Sequence, residues 1–511
     1  MPTIESALIL TPADLAEQTR VRLPLPIVKG NKDYREREAQ LRRMDEILEH
    51  SGVESHFLAM RVAEARAEAS KVGKPLTDRM QESVQVYAKQ MLRCTIARVL
   101  SNESHRSFSC HLAESPLLQW FCGMTLSVVI KVPTKSTLQR MESGVPAEVI
   151  TDLSARLVGC ATRVNDEGDS IIGLREAVDL SLIWVDSTCA KLDIHYPTDW
   201  VLLRDATRTI MKAITVIRSH GLKHRMPAPE QFIAAINAKA MAMSGASRRG
   251  RGGDKKRERK RVLREMKEIV GKVRHHGERY RNLLAQSWSE TDLSEAQAKL
   301  IIKRLDTMLT QLPAAIKQAH ERIIGERVVP NDQKTLSLYQ PHAQIYVRGK
   351  AGADAEFGLQ LLVCESAEGL IIDCTVSDRV TNDSKLLMPA IERMRHAYGP
   401  SAVTTAVTDR GFTSQDNNAA LKELEITNST LPRNPVELKK LFDDPNHREL
   451  HRRRAQTEAR IAILKGTFIG DHLPTRSRTA QVRFIAWATL AHNLWVLSKL
   501  DRAEKSLAKT G

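Results

Sequence analysis

SLIWVD, residues 181–186, is a continuous apolar run of strand length that ends on a carboxylate. A strand buried on both faces reads this way, without the alternation of a half-exposed one. Just after it, KLDIHY (191–196) reads as a hairpin partner. Pro197-Thr198-Asp199 opens a helix that runs to Gly221, a stop signal, and Asp199 reads as its cap. The same texture returns after residue 340. FGLQLLVCE (357–365) and LIIDCTV (370–376) read as two strands around the turn Ala367-Glu368-Gly369. KLLMPAIERMRHAYG follows as a helix, SAVTTAVTD (401–409) as a second buried strand, QDNNAALKELE as a helix and ITNSTL as a short strand. Two helices close the chain. In the last, Val482, Ile485, Leu490, Leu494 and Leu497 form an apolar stripe.

Strand, long helical insert, then β-β-α-β-α-β-α-α is the order of a ribonuclease H-like domain. We therefore expect an α/β ribonuclease H-like fold with a helical insertion after its first strand, plus an N-terminal all-α region. The expected segments are a helical region over 1–165, a first part of the α/β domain over 175–230, an insertion over 231–335, and the remainder over 336–505. Within the N-terminal region, Thr134 before STLQRM reads as a helix start and Gly144 as a stop. Short helices of this kind suit either a helix-turn-helix-like DNA reader or an ordinary helical bundle. In the insertion, SGASRRGRGGDKKRERKRVLR (244–264) is densely basic and reads as a flexible loop in which Arg248, Arg249 and Arg251 meet DNA. Val262, Met266, Ile269 and Val273, then Leu305, Leu309, Leu312 and Ile316, mark a helical hairpin over about 255–325.

With 511 residues the chain exceeds what one core supports. Its 77 Lys and Arg against 61 Asp and Glu leave a charge of +16, which suits a polyanionic partner. The seven cysteines show no C-x-x-C pair or zinc spacing and read as reduced thiols. The best apolar run, FIAWATLAHNLWVL, is interrupted by His492 and Asn493, so no membrane span is expected. These features together describe a cytoplasmic protein.

HRRRAQTEARIAILK, residues 451–465, carries the chemistry. His451, Arg454, Glu458 and Lys465 stand three, four and seven residues apart, on one face of a helix. A carboxylate flanked by cations on one face suits a metal and a phosphate. Asp186 and Asp409 each follow an apolar run. Two strand-end aspartates and a helical glutamate are the parts of a two-metal phosphoryl-transfer site. Two Mg²⁺ ions, with Mn²⁺ able to substitute, suit such hard oxygen ligands. Arg454 and Lys465 are placed for phosphates, as are Arg348 and Lys350 flanking Gly349 in an expected loop.

His451-x2-Arg454-x3-Glu458-x6-Lys465 resembles the Y-R-E-K signature of insertion-sequence DDE transposases, with histidine in place of tyrosine. VDST around Asp186, IHYPTD (194–199), IYVRGK (345–350), VTDRGF (407–412) and the FCGM…VPTKSTL segment resemble landmarks of ISNCY-type members. The resemblance implies a bacterial, nucleoid-associated transposase. It would act with divalent metal on the terminal inverted repeats of its own element and on target DNA, through the triad Asp186, Asp409 and Glu458, and assemble as a homodimer on DNA. His451 would contact phosphate in a pH-dependent way. Two other classes remain: a non-catalytic DNA-binding regulator, and a ribonuclease H-like nuclease or resolvase without strand transfer.

Overall fold

A computed structural model describes residues 25, 27–73, 75–124, 130–248, 253–350, 353–432 and 434–503. The chain divides into two compact units. The first takes in residues up to Ala190, Gln360–Thr475 and Thr479 onward; the second holds Lys191–Leu359 and Arg476–Arg478.

The first unit begins with helices α1 (Lys32–His50), α2 (Val53–Lys71), α3 (Asp78–Ser101), α4 (His105–Glu114), α5 (Pro116–Phe121), α6 (Lys135–Ser143) and α7 (Ala147–Ala161). The expected punctuation of α6 is present: the Thr134 hydroxyl accepts from Thr137 N, and Gly144 caps the end. Arg93 of α3 is 1% exposed yet donates to Asp45, Glu54 and the Phe121 carbonyl. Each neighbouring helix thus satisfies part of one buried charge, as a buried guanidinium requires.

Strand β1 (Leu182–Lys191) follows. Its partner is not KLDIHY, which stays outside the strands beyond Lys191, but β3 (Ala353–Glu365). Strands β4 (Ile371–Val376), β5 (Thr405–Thr408) and the two-residue β6 (Thr427–Asn428) complete the sheet of this unit, in the order β4-β3-β1-β5-β6. β1 and β5 run parallel, as do β5 and β6, while β3 and β4 are antiparallel. Helices α12 (Leu387–Tyr398), α13 (Gln415–Glu423), α14 (Pro435–Asp443), α15 (Pro445–Ile463) and α16 (Arg478–Leu497) pack around it. The polar interruption of the last apolar run has a structural purpose. Asn493, fully buried, accepts from Ile371 N at 2.8 Å and donates to the Ile371 carbonyl at 2.7 Å and to Ser154 of α7. One side chain closes both open backbone groups where β4 begins.

In the second unit α8 (Asp199–Ser219), α9 (Pro229–Arg248), α10 (Gly253–Ser287) and α11 (Glu295–Ala319) pack around one apolar core. The hairpin stripes are there as expected, but α8 and α9 join them to make four helices. Asp199 does not cap α8. It is buried, ion-paired to Arg322 at 2.9 Å and bonded by Gln318 at 2.8 Å. The expected basic loop is also revised, because Lys, Arg and Glu are good helix formers. Residues 253–264 are the start of α10, and Arg248 is the last residue of α9; Arg249 and Arg251 lie outside the described residues. Arg348 and Lys350 likewise sit in a strand, not a loop: β2 (Gln344–Lys350) pairs with the first half of β3. No helix among the described residues is long and apolar enough to cross a membrane.

Asn493→Ala should cost about 2–4 kcal/mol of stability, since it strands a donor and an acceptor in the core. Urea denaturation of both proteins measures this, and a loss under about 0.5 kcal/mol would mean water replaces the amide.

Candidate active site

The parallel ladder pairs Leu182, Ile183, Trp184 and Val185 with Thr405, Ala406, Val407 and Thr408. One step further along the same register stand Asp186 and Asp409. Neighbouring strands lie about 4.8 Å apart, so the two carboxylates leave adjacent positions on the same face. Asp186 is in the middle of β1, not at its end, and its Oδ1 accepts from Ser187 N at 2.8 Å. Asp409 closes β5; its backbone is extended, and its Oδ1 accepts from Gly411 N at 2.7 Å.

Alternation places Trp184, Asp186 and Thr188 on one face of β1. Helix α15 runs along that row. The Trp184 indole N–H donates to the Leu450 carbonyl at 3.0 Å, and the Arg453 guanidinium lies 4.1 Å from the Trp184 ring centroid. At the other end Lys465 Nζ donates to Thr188 Oγ1 at 3.4 Å, from a π-helical turn (Leu464–Ile469) that continues α15. Between these contacts, Arg454 Nη2 lies 3.3 Å from Asp409 Oδ2. Glu458 lies on the same helix, one turn beyond Arg454. Ile461, Leu464 and Phe468 are buried and fix the helix on the sheet.

The structure thus brings Asp186, Asp409, Arg454 and Lys465 together. The Glu458 side chain is exposed, and no three His, Cys, Asp or Glu side chains among the described residues gather as metal ligands. Hard carboxylate oxygens such as those of Asp186 and Asp409 suit Mg²⁺ or Mn²⁺. His451 is seated elsewhere: its Nε2 donates to the Ser429 carbonyl at 2.7 Å. Burial lowers its pKa to about 4, with His447 and Arg454 adding to the shift, so the ring is neutral at pH 7. That leaves it as a brace between α15 and the segment after β6, without the charge a phosphate contact would use.

Two features escaped the sequence reading. Asp383 lies beside Asp409 across Gly411: a Cβ added there would stand 2.9 Å from Asp409 Oδ1 and 3.0 Å from Asp383 Oδ2. Buried Gln360 of β3 holds Asp383 with a 3.3 Å hydrogen bond. The second is Glu365, at the end of β3 and 1% exposed, with Arg453 and Arg460 of α15 each 3.8 Å from its Oε1. Burial pushes its pKa up to about 7, against the pull of Arg460, Arg453 and the Thr457 hydroxyl. Gly369, at φ +89°, lets the Arg460 guanidinium pass where any Cβ would collide. The seven-residue spacing of Arg453 and Arg460 was the available signal, since it puts both on the face that meets the sheet.

Residues 324–494 match the family model of the transposase DDE domain. That match supports a DDE transposase, an enzyme of DNA rearrangement whose family uses divalent metal and a ribonuclease H-like fold; the mixed sheet here is compatible with it. Asp409, Arg454, Glu458 and Lys465 fall inside the matched range, and Asp186 precedes it. No curated protein and no solved structure matches the chain.

Glu365 gives the site a pH signature. A folded-state pKa of about 7, above the ordinary 4.5, means the folded protein holds a proton that the unfolded chain has released. Its stabilising share is complete below about pH 4.5 and lost as pH rises to about 7. Glu365→Gln should remove that slope, so the variant's stability relative to wild type improves by ~3 kcal/mol between pH 4 and pH 8. Denaturation at the two pH values reads this, and a parallel pH dependence in both proteins would refute it.

Proposed function

We propose that the chain is a DDE transposase of an insertion sequence: it binds the terminal inverted repeats of its element, cuts there and joins the ends to target DNA. The observation that carries this reading is the register of β1 and β5, which sets Asp186 and Asp409 side by side beneath the helix of Arg454 and Lys465. In this reading the fold is ribonuclease H-like, with α8–α11 inserted after its first strand.

Asp186, Asp409 and Glu458 would hold two Mg²⁺ ions, which activate the attacking oxygen and stabilise the leaving 3′-oxygen when bound. Glu458 turns about its own side-chain bonds to complete the set. Arg454 holds Asp409 in the protein without DNA and exchanges that carboxylate for a phosphate oxygen of the substrate, to which its planar fork is suited. Lys465 supplies a second, point-like cation about three helical turns further on. Water serves as nucleophile for cleavage and a DNA 3′-hydroxyl for joining, so no covalent enzyme intermediate is needed. Arg248, Arg249, Arg251, Arg348 and Lys350 give additional phosphate contacts, and a homodimer pairs the two ends.

Asp409→Asn and Glu458→Gln should each lower metal-dependent cleavage of element-end DNA at least about 1,000-fold, equivalent to ~4 kcal/mol of lost transition-state stabilisation. Duplex affinity should stay within about threefold in each variant, a change below 1 kcal/mol. Strand-nicking and joining assays, with binding measured in parallel, separate the outcomes. Cleavage surviving in Glu458→Gln would remove that residue from the triad, and cleavage without joining would favour a nuclease.

A further inference from the structure

Helix α10 is amphipathic in an unusual sense: its outer face is cationic along most of its length. Val262, Leu263, Met266, Val270, Val273 and Tyr280 are buried among the other helices of the second unit. At 100° per residue they centre about 155° away from a second stripe made by Arg257, Arg261, Arg264, Lys272 and Arg279. All five are exposed. The two other residues on the same line, Glu268 and His275, leave it strongly positive.

The pairing pattern sets this stripe apart from the flanks. Lys256 and Lys260 are both committed to Glu326, Lys239 to Glu265 at 2.6 Å, Arg274 to Glu278 at 2.9 Å and Arg281 to Asp306 at 2.8 Å. None of the five stripe residues has an ion pair within 4 Å among the described residues, and a stripe of unpaired cations repels itself. From Arg257 to Arg279 is 22 residues, or about 33 Å of helix axis. One turn of duplex DNA measures about 34–36 Å.

We infer that the outer face of α10 is a docking track for the phosphate backbone of duplex DNA, engaged over about one helical turn. A straight, rigid line of cations fits a stiff polyanion of matching length, whereas a flexible single strand would gain nothing from that straightness. The contacts are to backbone and carry no sequence information, so the track holds DNA while other surfaces read it. The inference rests on the transposase reading for its choice of polyanion and is independent of the carboxylate site.

The test uses the full chain and a random-sequence duplex of about 30 base pairs, about three helical turns. Affinity is measured across a salt series. Arg257→Gln/Arg261→Gln/Arg264→Gln should lower the steepness of log affinity against log salt by about 2.7, or about 0.9 for each phosphate left without its cation. The control Lys239→Gln/Arg274→Gln/Arg281→Gln removes the same charge from ion-paired positions off the stripe and should leave the slope unchanged. Thermal unfolding of both variants checks that the helices remain folded. An unchanged slope in the stripe variant, or an equal drop in stripe and control, overturns the track. Equal binding and an equal drop in slope with a single strand overturn the duplex as its occupant. If metal-dependent cleavage by the wild type persists while the slope does not move, only the track fails; if the wild type binds no duplex at all, the transposase reading fails with it.

Discussion

Everything at the candidate site depends on the parallel pairing of β1 with β5. The register Val185↔Thr408 fixes where Asp186 and Asp409 stand, and a slip of one residue would turn one carboxylate to the opposite face. The residues that enforce this register are apolar: Ile183, Val185, Ala406 and Val407 are all buried. Hydrophobic burial thereby sets the two carboxylates at adjacent positions of neighbouring strands. The Arg454 guanidinium lies 3.3 Å from Asp409.

The second constraint is the placement of α15, which carries the other half of the chemistry. Trp184 anchors it through the Leu450 carbonyl and the face of its ring, His451 through the Ser429 carbonyl, and Glu365 lies buried between Arg453 and Arg460. These contacts lie on three strands or the segments that leave them, so the helix is triangulated, not merely laid on the sheet. Its rotation about its own axis brings Arg454 to Asp409 and Lys465 to Thr188. The Glu458 side chain, on the same helix, is exposed.

Much of this was legible in the sequence where one signal dominates. The runs SLIWVD and TTAVT are strands because burial on both faces leaves no other reading, and they place both aspartates. The spacing of Arg454, Glu458 and Lys465 is helical and survives into the structure. Signals failed where composition and context compete. The strand read as ending on Asp186, yet it runs on to Lys191 because β3 and the surrounding core bury Ser187 to Ala190. The basic segment after residue 252 looked like a loop by charge, but its helix propensity prevailed once Val262, Leu263 and Met266 had a core to enter. The burial of Glu365 went unread, since a strand-final glutamate before a turn ordinarily faces water and only the Arg453/Arg460 spacing pointed to its partners.

In the proposed function, Asp186, Asp409 and Glu458 serve one metal site on bound DNA. Replacing Mg²⁺ with Fe²⁺ in the protein–DNA complex and generating hydroxyl radicals at the metal tests it directly, because the backbone is cut only near the ion. Three metal-dependent cuts are expected, around residues 186, 409 and 458, all suppressed by excess Mg²⁺. Cuts near 186 and 409 with none near 458, or cuts clustered elsewhere in the chain, would contradict it.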